Sequence, residues 1–293
     1  RNVEGPNAGA LIELCRHPGL QFHQHAGDAL VERARGAVAY HFLEETDADV
    51  LLSIDTDILF DPAQAMAVCE QAMEFSITCG MYVTRAMGER CRPACALKVG
   101  QSIECGTDPT PVEIQWPASG FCAMHRRVFE ALKADPECRL MHPNTPMRFY
   151  NFYVPFESTY AEGHPILLSE DYAIGERARR LGFPTYLNPA VRLGHVGTKV
   201  YTLMDAFMPS NLRPTPVQVS QPAPYQFRME GAIAQADADQ FPALMARAAN
   251  EGARPPEGAQ RPGLWTPEQG AVVQRRLNGG QAPKPLTFPR ARS

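Results

Sequence analysis

Hydrophobic positions in the first 200 residues switch repeatedly between helical and strand spacing. In residues 28–44 the apolar side chains recur every three or four positions, which predicts an amphipathic helix. Residues 50–54 (Val-Leu-Leu-Ser-Ile) form a nearly continuous apolar run, typical of a buried central strand. Because the two patterns alternate, the sequence predicts an α/β fold with a mostly parallel sheet flanked by helices. The other predicted elements are helices at 8–15, 63–75, 123–132 and 171–181, strands at 77–83 and 185–187, and a β-rich excursion at 97–117.

Composition changes near residue 205. Of the 27 prolines, 13 lie in the last 93 residues, and residues 201–293 carry 10 Lys or Arg against 7 Asp or Glu. We therefore predict a body at 1–204 and a Pro-rich, mildly basic C-terminal extension at 205–293. Its proline segments favour extended conformations, and residues 237–250 and 267–277 favour short helices.

The start of the chain lacks one expected element. Sheets of this class normally open with a strand before the first helix, yet only residues 1–7 precede the helix at 8–15. We therefore expect the first strand to be missing, as in an N-terminally trimmed product.

Whole-chain composition excludes several classes of protein. The net charge of -4 provides no cationic field for wrapping nucleic acid. No run approaches the roughly 18 apolar residues of a membrane span, and the N-terminus lacks the layout of a signal peptide. We expect a soluble, cytoplasmic protein. Several of the eight cysteines lie in apolar runs and are predicted to pack as small hydrophobes.

Two carboxylates follow the predicted strand directly, as Asp55-Thr56-Asp57. In open α/β sheets, ligands bind beyond the carboxyl ends of the strands. Carboxylate oxygens there suit Mg²⁺ or Mn²⁺, and such an ion neutralises a diphosphate. The alternative is that an acidic residue only caps the next helix, which we predict for Asp61 because Pro62 follows it.

The surroundings of this motif resemble the metal-binding edge of GT-A fold glycosyltransferases, including the family 2 type of phages, viruses and bacteria. Further segments with similarity to that group occur in the same order, and the resemblance extends over about residues 8–201. The segments are residues 28–35, residues 48–58 with Phe60-Asp61-Pro62, residues 116–129, Ser169-Glu170-Asp171-Tyr172 and Gly194-His195-Val196-Gly197.

The resemblance implies transfer of a sugar from a nucleotide-diphosphate sugar, a UDP-sugar by preference, to a hydroxyl acceptor with inversion. It implies Mn²⁺ or Mg²⁺ bound directly by Asp57, with His195 as a third ligand, while Asp55 contacts either the ribose or, through water, the metal. The competing interpretation of His195 is an ordinary loop histidine.

Inverting transfer needs a base for the acceptor hydroxyl, and the resemblance assigns this role to Asp171 with Glu170 beside it. Both residues begin a predicted helix, so N-capping is the alternative. A retaining reaction would give Asp171 another role. Contacts with the donor are expected from Asp55, Arg35, Arg85, Gly120 and Lys199.

The sequence is compatible with several kinds of acceptor molecule. A glycan, a lipid, a protein and a hydroxymethylated base in phage DNA all carry a suitable hydroxyl, and the net +3 of residues 201–293 is compatible with DNA contact. Two other functions remain. A nucleotidyltransferase shares the sheet and the metal chemistry, although its glycine-rich N-terminal loop is not found. A non-catalytic sugar- or protein-binding module on the same scaffold is the second.

Overall fold

A computed structural model of the chain describes residues 5–86, 91–159, 163–197, 200–203, 205, 214–223 and 226–233. The helices in these ranges are α1 (Gly5–Leu14), α2 (Val31–Glu45), α3 (Pro62–Phe75), α4 (Arg126–Ala134) and α5 (Glu170–Arg180). The strands are β1 (Val50–Ile54), β2 (Ile58–Leu59), β3 (Ile77–Met81), β4 (Ser102–Cys105), β5 (Val112–Ile114), β6 (Phe121–His125), β7 (Leu140–Met141), β8 (Phe149–Tyr150), β9 (Phe156–Thr159), β10 (Pro165–Leu168), β11 (Thr185–Arg192), β12 (Gly194–Val196), β13 (Val200–Tyr201), β14 (Pro214–Ala223) and β15 (Gln226–Ile233).

The central sheet has five strands in the order β1-β6-β3-β11-β5. Strand β6 is antiparallel to both of its neighbours, β1 and β3, and β5 is antiparallel to β11. The pair β3 and β11 is parallel. The chain is therefore a mixed α/β protein, as predicted, but a mostly parallel sheet is not confirmed because most neighbouring strands run in opposite directions.

Two of the sequence predictions for this sheet are corrected. The helix predicted at 123–132 begins at Arg126, because Phe121–His125 form β6 and are buried except for the partly exposed His125. A five-residue apolar run has no periodicity that separates a strand from a helix. Strand β1, predicted as a central strand, is the end member of the described sheet, and all five of its residues are half-buried.

Helix α3 begins as its sequence predicts. The Asp61 side chain accepts a hydrogen bond from the Ala63 amide at 2.8 Å, and the Gln64 side chain accepts one from the Asp61 amide at 2.9 Å. This capping box satisfies amides at the helix start, and Pro62 occupies the first turn. The helix then packs against β1, β3 and β6.

Arg126 holds the C-terminal end of α2. Its guanidinium donates to the backbone carbonyl oxygens of Phe42 at 2.9 Å, Leu43 at 3.2 Å and Ala48 at 2.8 Å. The last carbonyl groups of a helix have no partner inside the helix, so the contacts with Phe42 and Leu43 satisfy two of them, while the contact with Ala48 holds the segment that follows α2. They also tie α2, which carries Arg35, to the junction of β6 and α4.

The described part of the extension packs on the body through strand pairing. Strand β14 pairs antiparallel with β4 and with β15, so that residues 214–223 and 226–233 add a hairpin to the β-rich excursion. The helices predicted at 237–250 and 267–277 lie outside the described residues. Among the described helices, none has the length and apolar character needed to span a lipid bilayer.

The core is continuous across the sheet and its helices, with Phe121, Phe129 and Phe152 among its fully buried side chains. Seven of the eight cysteines are buried, which confirms their prediction as small core residues. Burial raises the pKa of Cys79 and of Cys105 to about 12, so both stay as thiols at neutral pH.

Candidate functional site

Seven of the predicted site residues line one cavity of about 1110 Å³. It lies where β1 and β3 end, with α2 and the first turn of α5 contributing to its wall. The seven residues are Arg35, Asp55, Asp57, Arg85, Glu170, Asp171 and His195. Predicted site residue Lys199 lies outside the described residues.

Arg35 joins three of the carboxylates. One of its terminal nitrogens donates to both oxygens of Asp55, at 3.2 and 2.9 Å. The other donates to Asp171 and, at 3.4 Å, to Glu170. The sequence places these residues far apart, and the fold brings them together because α2, the end of β1 and the start of α5 meet at one rim. Arg35 itself is buried.

Burial shifts the pKa values of this cluster. It disfavours the charged form of Arg35, yet the nearby carboxylates of Asp171 and Asp55 outweigh it and raise the pKa of the guanidinium, which stays charged. Burial also raises the pKa of Asp171, although Arg35 opposes the rise. Burial and the neighbouring Asp171 raise the pKa of Glu170. Both acids thus titrate closer to neutral pH than an exposed carboxyl, which suits a proton acceptor.

Asp57, Arg85 and His195 form a second cluster. Strand β12 pairs with β2, and the Val196 amide donates to the Asp57 carbonyl at 2.7 Å, which brings His195 beside Asp57. The Arg85 guanidinium donates to the Asp57 carboxylate, and its Nε donates to His195 Nε2 at 3.2 Å. His195 Nε2 lies 3.8 Å from Asp57 Oδ2.

The chemistry of its partners fixes the tautomer of His195. Nδ1 lies 2.8 Å from the carbonyl oxygen of Val83, which can only accept, so Nδ1 carries the proton. Nε2 is then the acceptor for Arg85. Burial lowers the pKa of His195, and the ring is neutral at pH 7 with an unprotonated Nε2 facing the cavity.

The carboxylates of Asp55 and Asp57 have different partners: Asp55 is bound by Arg35 and Asp57 by Arg85. Within the described ranges, no group of three or more His, Cys, Asp or Glu side chains has the geometry of a metal site. The converging donors are a carboxylate oxygen of Asp57 and the Nε2 of His195.

Gly120 supports the site from behind and does not line the cavity. Its amide donates to the Tyr82 hydroxyl at 3.1 Å, and its carbonyl accepts from the Asp55 amide at 2.9 Å. A Cβ added at Gly120 would lie 2.4 Å from Tyr82 Oη and 3.0 Å from Asp55 Oδ2. Glycine is therefore required where the backbone approaches these two side chains.

Sequence reasoning missed two residues of the site. The sequence analysis does not predict Tyr82 as a site residue. Tyr82 nevertheless follows β3 directly, just as Asp55 follows β1. Asn7 lies on α1, is fully buried, and donates from Nδ2 to the Thr56 carbonyl at 2.9 Å, which fixes the loop between Asp55 and Asp57. No sequence signal marks Asn7, because its contact depends on how α1 docks.

Comparisons with known proteins add a distant similarity to one solved structure. No family model matches the chain, and no curated protein matches it. A solved structure titled "Crystal Structure of A197 from STIV" is similar with a TM-score of 0.37 and 15% identity, over 66% of this chain and 86% of that chain. A similarity at this level assigns neither fold family nor function.

Proposed function

We propose that this protein is a metal-dependent glycosyltransferase with a GT-A-like fold. It would transfer a sugar from a nucleotide-diphosphate sugar, a UDP-sugar by preference, to a hydroxyl acceptor with inversion. The observation that carries the proposal is the meeting of two clusters in one cavity. One joins Asp55 to the acidic pair Glu170 and Asp171 through Arg35, and the other joins Asp57 to His195.

The direction of the strands supports a GT-A-like arrangement. Strands β1 and β3 run the same way because each is antiparallel to β6, which lies between them. Their carboxyl ends therefore reach the same edge, where Asp55 and Tyr82 follow. Ligands of α/β proteins bind at such an edge.

The charge of the two clusters favours a divalent cation. Four carboxylates, those of Asp55, Asp57, Glu170 and Asp171, face two guanidinium groups, those of Arg35 and Arg85. With all four ionised, the two clusters together carry a net charge of -2, although each carboxylate contacts a guanidinium. A cation bound with a diphosphate would balance this charge.

The donor atoms present fit Mn²⁺ or Mg²⁺. Asp57 supplies a hard oxygen, and His195 supplies an imidazole nitrogen whose other ring nitrogen is held by a backbone carbonyl, as in many metal-binding histidines. Ions of this kind are bound in many proteins by one or two carboxylates completed by substrate phosphates, which agrees with two converging side chains. When bound, the ion would neutralise charge that develops on the leaving diphosphate.

Asp171 is the proposed base. Its raised pKa favours proton uptake from an acceptor hydroxyl, and its contact with Arg35 favours the ionised form and orients the carboxylate before that step. Arg35 contacts Asp55 as well, so it fixes the position of Asp171 relative to the end of β1, where the metal is proposed to bind. The acceptor is proposed only as a hydroxyl, on a glycan, a lipid, a protein or a modified DNA base.

Hydrolysis of the donor tests the proposal without knowledge of the acceptor. The protein is incubated with MnCl₂ and a panel of sugar nucleotides, and release of the nucleotide is measured. We expect metal-dependent release from at least one UDP-sugar, and a loss of about 100-fold in Asp171→Asn if the group acts as a general base.

Asp61→Asn is the matched control, because it makes the same chemical change at a helix cap that asparagine also satisfies. Asp61→Asn should retain activity. Absence of release from every donor, together with absence of a thermal shift on donor binding, would contradict an enzymatic role. Donor binding with no turnover in the presence of candidate acceptors would favour the non-catalytic binding module.

A further inference from the structure

Arg85 occupies the space between the two proposed metal ligands. It donates to the Asp57 carboxylate through one terminal nitrogen and to His195 Nε2 through Nε at 3.2 Å. Both acceptor atoms are the ones that a dication would need. The competition is strict at His195, because the unprotonated Nε2 has a single lone pair that either the guanidinium or a metal ion can use.

Arg85 is able to leave this position. Its side chain is 42% exposed, whereas that of Arg35 is 10% exposed and contacts three carboxylates. The aliphatic part of Arg85 packs beside Gly197, where an added Cβ would lie 3.0 Å from Arg85 Cδ. Glycine at position 197 therefore leaves space for the aliphatic part of the Arg85 side chain, which a larger residue there would crowd.

We propose that Arg85 is an internal counter-ion of the metal site, which holds Asp57 and His195 in place and must be displaced before a dication binds. Resting on the proposed function, this inference makes Arg85 a positioning residue that sets metal affinity by competition. The displaced guanidinium remains in the cavity, where the anionic diphosphate of the donor can accept its hydrogen bonds. Donor and metal should therefore strengthen each other's binding.

Mn²⁺ binding measures this competition directly, without any turnover. Free Mn²⁺ is counted by electron paramagnetic resonance during titration of MnCl₂ into the intact protein, with and without saturating UDP. We expect Arg85→Gln to bind Mn²⁺ alone about tenfold more tightly than the unmodified protein, the size of effect set by one charge-assisted contact. The gain in affinity that UDP provides should be smaller in Arg85→Gln.

Arg85→Lys separates competition from a simple change of charge. Lysine keeps the positive charge but cannot contact both acceptors with a planar fork, so the competition should weaken and Mn²⁺ should bind about threefold more tightly. If only the local charge mattered, Arg85→Lys would match the unmodified protein. Lys98→Gln removes one positive charge from a surface pair with Glu113 and should change the affinity for Mn²⁺ by less than about twofold.

The outcomes distinguish the two proposals. Mn²⁺ binding that is equal or weaker in Arg85→Gln, with clear Mn²⁺ binding in the presence of UDP, overturns the role of Arg85 and leaves the metal site standing. No Mn²⁺ binding by any of the proteins, with or without UDP, overturns both. Circular dichroism of each variant checks that the fold is retained, which is expected because Arg85 is an exposed side chain.

Discussion

The guanidinium of Arg35 donates to both oxygens of Asp55, over 3.2 and 2.9 Å, from a buried position on α2. The same side chain contacts Asp171, so a single cation links the end of β1 to the start of α5. Removal of this buried cation leaves partly buried carboxylates without a partner. The geometry of the cavity and the stability of the fold therefore depend on the same residue.

Arg35→Met should lower the free energy of unfolding by about 2 kcal/mol at pH 7, less than for a fully buried ion pair because the carboxylates that lose their partner are partly exposed. The pKa of Asp171 is already raised by burial, and loss of Arg35 raises it further. A raised folded-state pKa favours the protonated native form, so stability returns as the pH falls through that value. Urea unfolding at pH 7 and pH 5 should show a smaller deficit at pH 5.

Arg33→Met is the control for that experiment. Arg33 is on the same helix and pairs with Asp28 rather than with the cavity carboxylates. It should show little change in stability and no such recovery on acidification. An equal deficit for Arg35→Met at both pH values would mean that uncompensated carboxylates are not the cause.

Gly120→Ala should destabilise the protein by about 1–3 kcal/mol, because the new methyl group overlaps Tyr82 Oη. Tyr82→Phe removes that oxygen, so the double variant should lose less stability than the two single variants together. A thermodynamic double-mutant cycle from denaturant unfolding measures the coupling.

Gly9→Ala provides the comparison, since an added Cβ there meets nothing within 4 Å and the site is helical. It should be neutral or stabilising by about 0.5–1 kcal/mol. Strict additivity of Gly120→Ala and Tyr82→Phe would argue against the close approach of Gly120 to the tyrosine.

His125 should make the stability depend on pH. Its Nδ1 accepts from the Arg127 amide at 3.1 Å and caps α4, so protonation removes the acceptor. Burial, assisted by Arg127, lowers the pKa of His125 below 6.5. The contribution is therefore complete above pH 6.5 and is lost as the pH falls through the lower folded-state value.

His125→Asn retains a capping acceptor that does not titrate in this range. The free energy of unfolding, measured at pH 7.5 and pH 5.5, should fall less on acidification than in the unmodified protein. Identical falls in the two proteins would exclude His125 as a source of the dependence. The comparison isolates this residue because the other histidines are common to both.

Asp61→Ala should cost about 1 kcal/mol through loss of the cap of α3, whereas Asp61→Asn should cost a few tenths at most. Thermal and urea unfolding give the two values. A cost for asparagine equal to that for alanine would show that the charge of Asp61, and not its hydrogen bond, stabilises the helix.

Local signals predicted the parts of the fold that depend on neighbouring residues. Asp61 and Pro62 predicted the start of α3. Gly182, two residues after the end of α5, has a φ of +88°, as expected for a glycine that terminates a helix. The direction of β6 was not predictable in this way. A short apolar strand pairs equally well in either direction, and the choice depends on chain connections far from Phe121.

The candidate site was predictable as a set of residues and not as a set of contacts. Asp55 and Asp57 were marked by their place after a strand, Asp171 by its place at a helix start and His195 by the family resemblance alone, and all four line one cavity. Their partners were not evident, because the same patterns allow a metal, an arginine or a backbone amide to bind each carboxylate. That Arg85 lies between Asp57 and His195 is a property of the packed chain alone.

The contacts of Arg126 with the end of α2 have a consequence for how the candidate site tolerates mutation. Arg126 does not line the cavity, yet it holds the C-terminal end of α2. Nearer the start of the same helix, the guanidinium of Arg35 contacts Asp55. A shift of α2 by a fraction of a turn would break the contacts of Arg35 with Asp55 and with Asp171. Substitutions at position 126 should therefore disturb the candidate site, although Arg126 does not line the cavity.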